Sequence, residues 1–184
     1  MYNKYVKRFL DIIFSLILMI GLFPIFIVVG IISKLTVGSV FYLQERDGLN
    51  RRSFTIHKFK TMTDGDKPDE FRTPKIMKII RNLGLDELPQ LFNVFKGEMS
   101  FVGPRPFITG EELPIQPERI IYTVKPGVVS LAMANGKRFI SHKKRLKYDY
   151  IYATNVSFKL DLYIIFKTVC LLITQNFRGE AWKK

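Results

Sequence analysis

From Ile12 to Ile32 the chain reads IIFSLILMIGLFPIFIVVGII, about 21 residues without a charge, which as a helix would reach roughly 30 Å. Gly38 to Gln44 and Ser53 to Phe59 read as short extended segments, the second alternating Phe54 and Ile56 against Thr55 and His57, and the turn residues between them predict a β-hairpin. Residues 63 to 74 are polar and Pro-containing and predict a loop. Ile76, Met77, Ile79, Ile80 and Leu83 then recur on one face of a helix over 75 to 83, which Gly84 ends in a left-handed cap. Leu88, Leu91, Phe92 and Phe95 recur at i, i+3, i+4 and i+7 and predict a helix starting near Glu87, with Pro89 tolerated in its first turn. Ser157 to Ile173 is apolar with only Lys159, Asp161 and Lys167 as charges, and predicts a helix at a membrane boundary or packed on the first apolar segment.

The first run is too long for a signal peptide, and no small-residue cleavage pattern follows it. Lys4, Lys7 and Arg8 precede it, while Lys34, Arg46, Arg51 and Arg52 follow. Basic flanks on both sides give a crossing helix no orientation and suit a hairpin whose ends share one side. Pro24 near the centre, with Gly21 before it, predicts a kink. A Pro-kinked crossing helix and a re-entrant hairpin both fit these features. Asp11 is expected near the headgroups, paired with Lys7 or Arg8.

Charge narrows the partner. Twenty-nine Lys and Arg face 16 Asp and Glu, a net +13, so an anionic partner is needed: nucleic acid or a membrane surface. No basic binding module with interleaved aromatics is recognisable, which disfavours nucleic acid. The 184 residues suffice for one cored domain, with no room for a second catalytic one. A single Cys170 excludes a disulfide scaffold, and His57 and His142 stand without a Cys cluster, so neither predicts a metal site. Asp64-Gly65-Asp66 fails the EF-hand register. Gly136-Lys137 is followed by Arg138 rather than Ser or Thr, and no strand-linked GxGxxG exists.

Chemistry concentrates in Leu85 to Pro106, LDELPQLFNVFKGEMSFVGPRP. Asp86 at the helix N-cap with Glu87 complementing the dipole is one account. The other is functional: two adjacent carboxylates can hold Mg²⁺ beside a phosphate-bearing ligand, or one can attack phosphorus. Arg81 and Arg105, the latter in a stiff Gly-Pro-Arg-Pro turn, could each offer a planar fork to phosphate oxygens.

These pieces together resemble the small monotopic phosphoglycosyl transferases, the bacterial initiating sugar transferases. The matching residues are KRFLDIIFSLILMI with Pro24, GSVFYLQERDGLN, FTIHKFKTM, LDELPQL followed by MSFVGPRP, VKPGV, NGK and the Asp149 region before SFKLDL. The resemblance implies an α+β, mostly helical fold. A re-entrant membrane helix broken at Pro24 would span 1 to 36, and 37 to 184 would form a small cytoplasmic catalytic domain with a short β-hairpin and interfacial amphipathic helices. It implies transfer of a phosphosugar from a UDP-sugar to polyprenyl phosphate with release of UMP, on the cytoplasmic face of the bacterial cell membrane. Asp86 would be the nucleophile forming a covalent aspartyl phosphosugar, and Glu87, with Asp86, would bind Mg²⁺. Arg81, Arg105, Lys58, Lys60 and Lys137 would bind phosphate or headgroup. Membrane lipids are expected partners, and a second copy or downstream glycosyltransferases stay open.

The chain departs from the family pattern in places. Phe23 stands where Ser commonly precedes the breaking Pro. PGVVSLAMANGK stands where PGITGLAQVNGR is common, so Met133 replaces a Gln and Lys137 an Arg, which loses a bidentate fork. A catalytically silent relative that binds lipid phosphate or a protein is the alternative these changes raise. His142, Lys143 and Lys144 replace an aromatic and acidic stretch and are expected against anionic lipid.

Overall fold

A computed structural model describes residues 2–66, 68–110, 117–136 and 140–178. The apolar run forms two helices, α1 (Lys7–Gly21) and α2 (Phe23–Val37), bent by 66° at Leu22. The break falls two residues before Pro24, which sits in the first turn of α2, where a missing N–H costs no helical hydrogen bond. Among the described residues no single helix is long and apolar enough to cross a membrane, whereas this bent pair passes that test together.

The basic flank of α1 is an anchor on the rest of the fold. Lys7, Asp11 and Ser15 recur every four residues and are buried as a polar stripe. Lys7 donates to the Asp161 carboxylate, which also accepts from the Tyr2 hydroxyl at 2.6 Å and lies 2.7 Å from that of Tyr152. Arg8 donates to the Val94 and Phe95 carbonyls at 2.6 and 2.7 Å. Asp11 accepts from Ser100 Oγ at 3.0 Å and Phe101 N at 3.1 Å. Neither basic neighbour pairs with Asp11: a buried carboxylate is better satisfied by donors fixed on another element than by a flexible side chain on its own helix.

The hairpin forms from β1 (Phe41–Asp47) antiparallel to β2 (Ser53–Phe59), Phe41 opposite Phe59 and Asp47 opposite Ser53. Asn50 and Arg51 take φ of 54° and 59° in its turn. The predicted loop over 63 to 74 contains a one-turn helix, α3 (Asp69–Arg72), and closes through Thr63 N to Arg72 O at 2.9 Å. Helix α4 (Lys75–Asn82) follows, with Gly84 at φ 72° just beyond it. Its apolar face is divided: Met77 and Ile80 are buried, while Ile76, Ile79 and Leu83 are exposed. Helix α5 (Gln90–Lys96) does the same, burying Leu91 and Val94 and exposing Phe92 and Phe95. With the outer faces of α1 and α2, these leave many large apolar side chains exposed.

Strands β3 (Ser100–Val102) and β4 (Gly127–Val129) pair in parallel. Two glycines make this approach possible. A Cβ on Gly127 would lie 2.0 Å from Gly103 N, and one on Gly103 would lie 2.3 Å from Lys125 O. Helices α6 (Leu131–Gly136), α7 (His142–Thr154) and α8 (Phe158–Arg178) follow. Val102, Val124, Leu131, Tyr152 and Ile164 share a core across these elements. The predicted terminal helix is thus packed on the amino-terminal segment, through Asp161 and an edge contact of Phe158 with Tyr2.

Candidate active site

Gly84 reverses the chain after α4 and starts a 3₁₀ turn over Leu85–Glu87. Leu85 and Leu88 pack on the cluster of Val29, Phe59, Met77 and Ile80, which pins the turn between α2, the hairpin and α4. Asp86, in that turn, is 8% exposed. The N-cap of α5 is Pro89, and no side chain caps the helix, so Asp86 does not serve as its cap. Glu87 Oε1 accepts from Lys58 Nζ at 3.0 Å and Arg105 Nη2 at 3.3 Å.

Asp86 and Glu87 open into a cleft of about 450 Å³. Lys58 reaches it from β2, Arg81 from the last turn of α4, and Arg105 from the turn after β3; the far wall is Ser130, Ala132, Met133, Ile140, His142 and Arg145. Five of the residues singled out from sequence, Asp86, Glu87, Arg81, Arg105 and Lys58, therefore meet in one place. Lys60 does not line the cleft; its ammonium pairs with Asp64 at 2.7 and 2.8 Å. Lys137 lies outside the described residues. His57 hydrogen-bonds the buried Asn93 through both its backbone N–H and its ring.

Among the described residues no cluster of three His, Cys, Asp or Glu could cage an ion. The donor set fits Mg²⁺ in another way. Mg²⁺ takes one or two carboxylates and completes its shell with water and phosphate oxygens, and Asp86 and Glu87 are hard oxygen donors on the wall of a cationic cleft.

None of the far-wall residues was a site residue in the sequence reading, and two of them are titratable. His142 belonged to the stretch expected against lipid, yet it lines the cleft, with its ring edge-on to Phe107. Arg145 donates to the Arg105 carbonyl at 2.7 Å and lies 3.6 Å from Asp149, which is fully buried. Burial pushes the Asp149 carboxyl up to about 7, against the opposing pull of the Arg145 and Arg105 guanidiniums. The i, i+4 spacing of Arg145 and Asp149 was the available signal. Met133, singled out as a departure, meets Arg105 Nη1 through its sulfur at 3.8 Å.

A family model of bacterial sugar transferases matches residues 2–175. An uncharacterized sugar transferase of Bacillus subtilis, EpsL, is 40% identical over 184 residues, covering 95% of this chain and 89% of the relative. A UDP-glucose:undecaprenyl-phosphate glucose-1-phosphate transferase of Klebsiella pneumoniae is 37% identical over 185 residues, 91% of this chain and 40% of that protein. A UDP-N-acetylgalactosamine-undecaprenyl-phosphate N-acetylgalactosaminephosphotransferase of Aeromonas hydrophila is 34% identical over 188 residues, 92% of this chain and 44% of that protein. The chain thus spans less than half the length of these last two relatives.

Proposed function

From the premise that the chain belongs to the bacterial sugar transferase family, we propose that it moves a sugar phosphate from a UDP-sugar to polyprenyl phosphate with release of UMP. The observation that carries this reading is a buried aspartate beside a glutamate in a cleft that Lys58, Arg81 and Arg105 line. A diphosphate needs that density of positive charge, and two phosphoryl transfers at one phosphorus need a nucleophile that a second acceptor can displace.

In this mechanism an Asp86 carboxylate oxygen attacks the sugar-bearing phosphorus of the donor. The bond from that phosphorus to the bridging oxygen breaks, and UMP leaves with the electron pair. A phosphate oxygen of the polyprenyl acceptor then attacks the same phosphorus. The aspartyl ester breaks, the Asp86 carboxylate returns, and the lipid carries the diphosphosugar. Lys58, Arg81 and Arg105 bind phosphate oxygens, and Glu87 orients Lys58 and Arg105 through its two ion pairs. Glu87, with Asp86 beside it, would hold Mg²⁺, which when bound offsets diphosphate charge.

The lipid acceptor places the cleft at a membrane. The 66° bend between α1 and α2 and the exposed apolar faces of α1, α2, α4 and α5 support a re-entrant hairpin whose ends stay on the cytoplasmic side of the cell membrane. The test is UMP release across a panel of UDP-sugars with polyprenyl phosphate and Mg²⁺. At least one donor should turn over and Asp86→Asn should abolish it; undiminished turnover in that variant removes Asp86 from the chemistry. Silence with every donor favours the non-catalytic lipid-phosphate binder.

A further inference from the structure

Pro104 and Pro106 have no N–H, so the turn that carries Arg105 has few donors of its own with which to hold its shape. It is held from outside. Four consecutive carbonyls each accept a hydrogen bond: Pro104 O from Gly127 N at 2.9 Å, Arg105 O from Arg145 Nη2 at 2.7 Å, Pro106 O from Arg46 Nη1 at 3.3 Å, and Phe107 O from Asp47 N at 3.0 Å. Of these donors Arg145 alone is a residue of the cleft wall. It grips the turn a second time, with its guanidinium 4.2 Å from the Phe107 ring centroid. One turn further along α7, the fully buried Asp149 carboxylate lies 3.6 Å from Arg145 Nε.

We propose that Arg145, braced by Asp149, is a positioning residue for Arg105, holding the arginine-bearing turn so that the Arg105 guanidinium meets the donor diphosphate. The inference rests on the phosphosugar-transfer reading. Without the Arg145 fork, the Arg105 carbonyl loses its hydrogen bond to α7, the Phe107 ring keeps only the packing of His142 and Leu146 there, and the turn's remaining hydrogen bonds run to β1 and β4. Arg105 acts directly on substrate in this scheme and Arg145 acts through it, so the two should behave as one unit.

The experiment is a double-variant cycle on the full chain in detergent, reading kcat and KM for a productive UDP-sugar. Arg145→Ala should lower kcat/KM on the order of 10²-fold, as a small misplacement of a binding group does, with the same division between KM and kcat as Arg105→Ala. The double variant should be no worse than Arg105→Ala alone, to within about 2-fold. Losses that multiply would overturn the proposal, because they would show Arg145 acting independently of Arg105. Arg145→Lys keeps the charge beside Asp149 but cannot fork between carboxylate and carbonyl, and should retain roughly a tenth of kcat/KM; if Arg145→Ala does not fold, the same cycle runs with this variant. Wild-type kinetics in Arg145→Lys would contradict the positioning role. A wild-type chain silent with every donor fails the transfer reading itself, and the inference falls with it.

Discussion

Gly127→Ala joins fold and site in one substitution. The added Cβ would lie 2.0 Å from Gly103 N and 2.6 Å from both Gly103 Cα and Val129 O. Ordinary contacts start at 3.4 Å, and every opposing atom is backbone, so no side chain can swing aside. Overpacking of a well-filled core costs about 1–3 kcal/mol. The hydrogen bonds that zip this approach together, Ser100 N to Pro126 O, Gly103 N to Val129 O and Gly127 N to Pro104 O, are lost with it; at about 1 kcal/mol each, the total reaches roughly 4–6 kcal/mol. The strand cannot relax without moving Gly103 and Pro104, which carry Arg105. Melting in detergent should fall by roughly 10–20 °C, and kcat/KM for UMP release should fall on the order of 10²-fold even where the chain remains folded. Gly21→Ala is the control, since its Cβ would meet nothing within 4 Å. A Gly127→Ala protein that melts and turns over like wild type would refute the close-approach argument.

Three further outcomes are expected. Lys7→Met strands the buried Asp161 carboxylate with hydroxyl partners only and should cost about 3–5 kcal/mol; adding Asp161→Leu should recover part of the lost melting temperature, and no recovery would show that the pair is not coupled. Asp149 titrates near 7 in the fold against 3.8 when unfolded, so the folded state holds its proton longer. That contribution to stability is complete below pH 4 and is lost as pH rises through about 7, at most about 4 kcal/mol. Wild type should therefore gain stability relative to Asp149→Asn between pH 8 and pH 5, and a pH-independent difference in melting would contradict the shift. Lys58→Ala should lower kcat/KM roughly 10- to 100-fold by releasing Glu87 and thinning the phosphate-binding charge, whereas Lys60→Ala, which breaks only an exposed i, i+4 pair, should stay within about 3-fold of wild type; equal losses would place Lys60 at the substrate.

Local pattern made much of this molecule legible. The period-2 segment at 53 to 59, the period-3.6 segment at 75 to 83 and the Gly84 stop became the expected elements because each is decided within a turn or two of chain. The DE pair, Arg81 and Arg105 stood out because phosphate chemistry favours those side chains, Lys58 stood out through the family resemblance, and all five line one cleft. What stayed hidden depends on distance in sequence. The three-residue strands β3 and β4 carry no periodicity, and their glycines acquire meaning only when 103 meets 127. Lys7, Arg8 and Asp11 read as flanking charges because their partners, Asp161, the α5 carbonyls and β3, lie 86 to 154 positions away. Arg145 was overlooked for the same reason: its i, i+4 partner was in view, but the Arg105 carbonyl 40 positions back was not.

The most direct test of Asp86 as the nucleophile is intact-protein mass spectrometry of the chain incubated with a productive UDP-sugar and Mg²⁺ but no polyprenyl phosphate. A mass gain equal to one phosphosugar, located to the peptide containing Asp86, absent in Asp86→Asn and discharged on adding polyprenyl phosphate, is the expected result. UMP release that strictly requires the lipid, with no adduct under any quench, would contradict it.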